Sequence, residues 1–349
     1  MAYVDYQSYE KGDIGAELVN FFLRENGKPL EGGKFAPRTL TDFLDNLPRR
    51  HRKNHRDIGL IVRIYCQKLI NDGQLFTVGF DHEQQPPYNE QFFSYFFIDQ
   101  LAEYGTYDFT VLGFPQIVRH FENAVIKLIV APGVQGRETS GSSFLMEGNR
   151  LVTAAHCLPP GERLRIDKWN AEKFPIKRIT MLGRAQSQNP FMSERSLLDL
   201  AVIEFETDPF PESPKFKLWG ADILDECLVM GFPSVPGLDI GLIPSAGRVV
   251  KEYSVYLRNQ NMMLVDARVK GGNSGGPVIN KYGKVMGVIT NGESDDQTMR
   301  QEMGFAIATP AQSLRDLTNA IDPVEERFNK ELFDITFELE AENTILIKK

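Results

Sequence analysis

Three short segments in the second half of the chain carry residues suited to nucleophilic catalysis. They are LVTAAHC (151–157) with His156, SLLDLAVIEF (196–205) with Asp199, and KGGNSGGPVIN (270–280) with Ser274. A serine hydroxyl is a poor nucleophile at neutral pH, so it needs a base within hydrogen-bond reach, and that base needs a third group to fix its tautomer. Histidine titrates near neutrality and suits the base; a buried carboxylate suits the orienting group. Glycines on both sides of Ser274 let the chain turn tightly, so the amides of Gly272 and Ser274 can converge on an oxygen that becomes negative during reaction. That chemistry is acyl transfer. Each piece alone has an ordinary reading: His156 as a satisfied core histidine, Asp199 as a turn or capping residue, GGNSGGP as a glycine-rich hairpin turn. Their joint occurrence, in one order and one β-rich context, is what favours catalysis.

The elements that must position these residues follow from the hydropathy pattern. From about residue 120 onward the chain is a series of short β-prone runs, such as AVIKLIV, RLVTAA, LAVIEFE, CLVMGF, MMLVDARV, GPVIN and KVMGVIT, separated by Gly, Pro and Asn. Many short strands at this spacing predict a sandwich or a pair of barrels. TPAQSLRDLTNAI (309–321) reads as a helix with Thr309 as N-cap and Pro310 in its first turn. FDITFELEAE (333–342) alternates as a half-buried or edge strand does. Ahead of residue 115 the texture differs. RTLTDFLDNL (38–47) and IGLIVRIYCQKLINDG (58–73) have helical spacing, with Gly73 as a C-cap, and QLFTVGF (74–80) and FFSYFFIDQ (92–100) are β-prone. A winged-helix-like module and a small α+β adaptor both fit this. Gly272–Gly276 also satisfies G-x-S-x-G, the nucleophile elbow of α/β-hydrolases, which needs a histidine after the serine. The histidines are at 51, 55, 82, 120 and 156, and none follows Ser274.

Composition sets outer bounds. The 349 residues, with 39 Lys+Arg against 47 Asp+Glu and 42% hydrophobic content, are those of a globular chain long enough for two domains. A net charge of -8 argues against general nucleic-acid coating, which needs a cationic surface. No stretch reaches the roughly 18 uninterrupted apolar residues of a membrane helix, and the N-terminus lacks the apolar core of a signal peptide. Three cysteines are too few, and odd in number, for a disulfide framework. RRHRKNHR (49–56) is a dense basic run, read as a solvated face. His51 and His55 sit among cations with no further ligands, so no metal and no cofactor is assigned. FFSYFF (92–97) is read as a buried strand or helix, with an exposed partner-binding strip as the alternative.

TAAHC, DLAVIEF and GNSGGPV, in His-Asp-Ser order, resemble the trypsin-like (chymotrypsin-fold) serine endopeptidases. GSSFLMEGNRLVTAAHC, VMGFPSVPG, GLIPSAGRVV, VDARVKGGNSGGPVIN, GKVMGVITN and GFAIATPAQSL resemble the bacterial HtrA/Deg-type branch. The likeness covers about residues 120–322, with no PDZ domain after it. It implies two packed six-stranded antiparallel β-barrels with Ser274 as nucleophile, His156 as base and acid, Asp199 as orienter, and Gly272 and Ser274 as oxyanion donors. Cys157 and Cys227 stand at disulfide positions of secreted relatives, but their expected partners are Ser140–Gly141 and Asn280, which implies free thiols and a reducing compartment. Asn273 replaces the aspartate that receives a new N-terminus in those relatives, so zymogen cleavage is not expected. By the same resemblance the S1 pocket walls come from 266–271, 289–292 and 303–306. Ile289, Thr290 and Gly304 imply an apolar or medium P1 side chain. Arg268 favours an acidic P1 if it points inward, and has no such effect if it points to solvent.

The sequence therefore predicts a mainly β protein: an N-terminal α or α+β adaptor or sensor domain (1–115), a trypsin-like protease domain (116–322) and a C-terminal tail with a strand (323–349). The expected activity is cytoplasmic serine endoproteolysis of protein or peptide substrates, with a regulatory partner at the N-terminal domain and no nucleic acid or membrane. The alternatives are a catalytically silent protease-fold scaffold and a nucleic-acid-responsive protease with a winged-helix-like sensor.

Overall fold

Apolar residues at helical spacing and a few aromatic strands build the first part of the chain, and alternating β-prone runs build the rest. The computed structural model describes residues 13–30, 35–47, 55–131, 138–182, 199–233, 241–255, 260–290, 304–321 and 332–348. The chain divides into two units, residues 1–117 and 118–349.

In the first unit, α1 (Ile14–Phe21), α2 (Leu40–Asn46), α3 (His55–Asn71), α4 (Asp99–Glu103) and α5 (Thr106–Leu112) accompany two small sheets. One pairs β1 (Lys28–Pro29) with β2 (Phe35–Ala36); the other runs β3–β5–β4, from Arg38–Thr39, Glu90–Phe93 and Phe76–Phe80. The helix expected at 38–47 is α2, and its start is fixed by a capping box: the Asp42 amide donates to Thr39 Oγ1 and the Thr39 amide to the Asp42 carboxylate. Ile14, Leu18, Phe22, Leu40, Leu44, Leu69, Leu75, Phe92 and Tyr107 share one core. The β-prone run from 92 stops early. Phe92 is buried in β5, whereas Tyr95 and Phe96 are 59% and 53% exposed, so FFSYFF is a buried strand end followed by an exposed aromatic strip. Of the basic run 49–56, residues 49–54 lie outside the described residues.

The second unit, entered through α6 (Phe114–Phe121), is almost entirely antiparallel sheet. Its last six core strands are β12 (Glu226–Gly231), β13 (Ile243–Val255), β14 (Gln260–Val265), β15 (Pro277–Asn280), β16 (Val285–Ile289) and β17 (Ala306–Pro310). They close into a barrel in the order β12–β13–β14–β17–β16–β15, around Cys227, Val229, Val249, Met263, Val265, Val278, Met286 and Ile289. The first six are β6 (Val125–Ala131), β7 (Thr139–Met146), β8 (Arg150–Ala154), β9 (Arg163–Ile166), β10 (Ile176–Leu182) and β11 (Leu200–Phe205). They lie side by side in the order β9–β6–β7–β8–β11–β10, but β9 and β10 do not pair with each other. Instead the C-terminal strands occupy both edges: β18 (Leu332–Asp334) pairs with β10, and β20 (Thr344–Ile347) with β9, with β19 (Phe337–Ala341) outermost. This covers backbone edges that barrel closure would otherwise satisfy. The alternating tail is thus an edge hairpin as well as a strand.

Helix α7 spans Ala311–Ile321, two residues shorter than the expected 309–321. Thr309 and Pro310 belong to β17, where they oppose Val288 and Gly287. Both residues are taken into the end of the strand, so the helix begins after the proline.

Candidate active site

His156 and Asp199 meet because their strands are neighbours. In the β8–β11 ladder Ala154 lies opposite Leu200, and just beyond that pair the Ala155 amide donates to the Asp199 carbonyl at 3.0 Å. His156 follows within a single 3₁₀ turn (Ala155–Cys157). Asp199 is held at φ +40°, an uncommon conformation for a residue with a side chain, stabilised by the two hydrogen bonds its carboxylate accepts. His156 Nδ1 donates to Asp199 Oδ2 at 2.5 Å, and the His156 amide to Oδ1 at 2.8 Å. This fixes the ring so that Nε2 is the free nitrogen. Burial alone would lower the imidazole pKa, but the hydrogen bond to Asp199, with Cys157 alongside, outweighs it and holds His156 above the ordinary histidine range.

Ser274 comes from the loop between β14 and β15, which is anchored by its own backbone. The Asn273 amide donates to Lys270 O, the Gly276 amide to Asn273 O, and the Gly275 amide to Ile289 O. The loop is also tied to the first six strands: the Ser142 amide donates to Ser274 O at 2.8 Å, and Cys157 Sγ, next to the histidine, reaches the same oxygen at 3.6 Å. Gly275 permits this approach. At φ +82°, a Cβ there would sit 2.1 Å from Ser142 O and 2.2 Å from Thr153 Oγ1. Ser274 is buried and makes no hydrogen bond to His156 among the described residues; such contacts commonly tighten only when substrate binds. Neither the Gly272 nor the Ser274 amide donates to a group among the described residues.

The remaining expected residues fall in two classes. Ile289 and Thr290 are buried at the end of β16, and Thr290 Oγ1 has no partner among the described residues. Gly304, at φ +68° with open space where a Cβ would be, leads into β17. Arg268 is exposed, on the segment between β14 and Ser274. Of the wall segments, 291–292 and 303 lie outside the described residues. Cys66, Cys157 and Cys227 are free and buried. Cys227 opposes Asn280 in the β12–β15 ladder, and Cys157 Sγ lies 2.8 Å from where a Gly141 Cβ would be, so both missing partners are where the sequence places them. Burial, with Asp266 nearby, pushes the Cys227 thiol up to about 12. Sequence reasoning missed Ser142, whose one signal is a serine-rich start (TSGSS) to an otherwise buried strand. No group of side chains able to hold a metal occurs among the described residues.

Residues 141–288 match the family of the trypsin-like peptidase domain. Over those residues the chain is similar to a trypsin-like peptidase domain. The match starts on β7 and ends on β16, so it contains His156, Asp199 and Ser274. The domain is similar to the serine protease HTRA2, mitochondrial, of Bos taurus (27% identical over 190 residues, 52% of this chain and 36% of that protein). It is also similar to the serine endoprotease DegS of Salmonella typhimurium (34% over 117 residues, 32% of each). The chain thus spans about a third of the length of these relatives. Among solved structures it is similar to Rv3671c from M. tuberculosis, at 18% identity and a TM-score of 0.41 over 61% of this chain and 94% of that one. At that score the likeness adds nothing to the strand order described above.

Proposed function

We propose that this protein is a serine endopeptidase in which Ser274 attacks a peptide carbonyl, His156 takes and returns the proton, and Asp199 orients the imidazole. The attack gives a tetrahedral oxyanion received by the Gly272 and Ser274 amides, then an acyl-enzyme that water hydrolyses. The observation that carries this reading is the carboxylate–imidazole pair at 2.5 Å, with Cys157 beside the histidine and Ser142 on the neighbouring β7 both reaching the Ser274 carbonyl. The serine protease relatives support it. Ile289, Thr290 and Gly304 suit a small to medium apolar P1 side chain. Exposed Phe76, Val78, Phe80, Tyr95 and Phe96 on the first unit support recruitment of a regulatory partner or substrate there. Three buried free thiols suit a reducing compartment such as the cytoplasm. No helix among the described residues is long and apolar enough to cross a membrane.

A fluorophosphonate probe tests the chemistry. Wild-type protein should be labelled covalently and Ser274→Ala should not; a wild type that stays unlabelled with and without added protein substrate would leave the domain as a binding scaffold.

A further inference from the structure

We infer that Ser142 is a positioning residue that sets the oxyanion-binding loop from the opposite half of the domain; the inference rests on the protease reading above. Ser142 lies on β7, is fully buried, and uses every polar atom it has. Its hydroxyl donates to Gly272 O at 2.6 Å and accepts from the Phe232 amide at 2.9 Å. Its amide donates to Ser274 O at 2.8 Å, and its carbonyl accepts from Thr153 Oγ1 at 2.7 Å. One residue therefore holds the chain on both sides of Asn273, together with the segment that follows β12.

The consequence follows from peptide planarity. In a trans peptide the carbonyl and the amide point in opposite directions. The 273–274 peptide is fixed by the Gly276 amide on Asn273 O, which turns the Ser274 N–H the other way. The 272–273 peptide is fixed by the Ser142 hydroxyl on Gly272 O, with the Asn273 amide on Lys270 O opposite it. The Gly272 N–H is joined to that plane only through the two rotatable backbone bonds of Gly272 itself. Glycine at φ +99° has the widest range of any residue, so the direction of its N–H depends on the plane to which it is attached. Without the Ser142 hydroxyl that plane keeps one anchor instead of two, and the Gly272 N–H loses its fixed aim. The Ser274 N–H and the bond from the Ser142 amide are untouched.

Loss of a complete oxyanion donor costs about 10²–10³ in turnover, so a donor that is present but loosely aimed should cost about tenfold. The test compares wild type, Ser142→Ala, Ser142→Cys and Ser142→Thr by the second-order rate of fluorophosphonate labelling, by kcat and KM on fluorescein-casein, and by the pH profile of kcat. Ser142→Ala and Ser142→Cys should label and turn over about tenfold more slowly, with KM within about twofold and an unchanged pH profile. Ser142→Thr, which keeps the hydroxyl, should recover most of the rate. If Ser142→Ala does not fold, the near-isosteric Ser142→Cys decides. Full turnover in a folded Ala or Cys variant would overturn the inference, as would a loss carried by KM or by a shifted pH profile. A wild type that neither labels nor cleaves would instead sink the protease reading itself.

Discussion

At the residue scale, the site is a contest between burial and pairing, and His156 shows which wins. Burial disfavours the imidazolium, yet the Asp199 carboxylate hydrogen-bonded to Nδ1 favours it more, so the resting ring holds its proton above the usual histidine pKa. A general base works only when deprotonated. kcat/KM should therefore rise with pH through neutrality, with a controlling pKa above the ordinary value of about 6.5. Asp199→Asn removes the partner that raises it, so the controlling pKa should fall while the rate drops by about 10⁴. A pH–rate series on both proteins checks this, and a wild-type profile already flat at pH 6 would refute it. The three residues proposed to react stand in short local patterns, which is why the sequence points to them. Ser142 was not legible, because its hydroxyl acts on a carbonyl 130 positions away and a serine in a strand has no sequence signature of its own.

At the scale of elements, what the sequence hid were contacts supplied by one segment to another. Helix α1 has no capping side chain at its own start; buried Asp108 on α5 accepts from the Gly15 amide at 2.7 Å instead. Short helices of five to eight residues such as α1, α4 and α5 escape periodicity for this reason: tertiary contacts, not local pattern, stabilise them. Burial raises the Asp108 carboxyl from 3.8 to about 7, against the opposing pull of the helix amides. A folded-state pKa above the unfolded one means that the folded chain binds the extra proton. The stabilisation is complete below about pH 4 and is lost as pH rises toward 7. The melting temperature of the first unit should therefore fall across that window, and Asp108→Asn should flatten the slope; an unchanged slope would exclude Asp108 as its source. The C-terminal hairpin makes a second case. Its alternation was visible, but not that it would complete the sheet carrying His156. Ile345 and Ile347 are both fully buried, and at about 1.5–3 kcal/mol each their loss is comparable to the whole stability of a modest domain. Truncation after residue 331 also uncovers the edges of β9 and β10. The shortened protein should aggregate or melt well below the intact chain, as thermal scanning would show.

At the scale of the whole molecule, the family pattern is smaller than the folding unit that contains it. The match runs from 141 to 288, whereas β6 lies before it and β17, α7 and the tail strands lie after it. Without β6 the pair β7 and β9 lose their common neighbour, and without β17 the second barrel is open between β14 and β16. A fragment limited to 141–288 should therefore not fold. The N-terminal limit is set by α6, whose last residue, Phe121, is fully buried and stacks on Phe216 at 4.0 Å, with Phe144 edge-on to Phe216 at 5.7 Å. Three packed rings of this kind add about 0.5–1.5 kcal/mol per pair beyond their burial, so a cut inside the helix would expose a core face. A fragment beginning at Phe114 and ending at residue 349 keeps these rings, both strand sets and the tail, and should fold alone. Its fluorophosphonate labelling rate then separates two roles for the first unit. If that unit recruits substrate or a partner, the fragment should label at the full-length rate and lose only cleavage of recruited proteins. A folded fragment that labels tenfold or more slowly than the full chain would make the first unit an activator of Ser274, and recruitment would have to be abandoned.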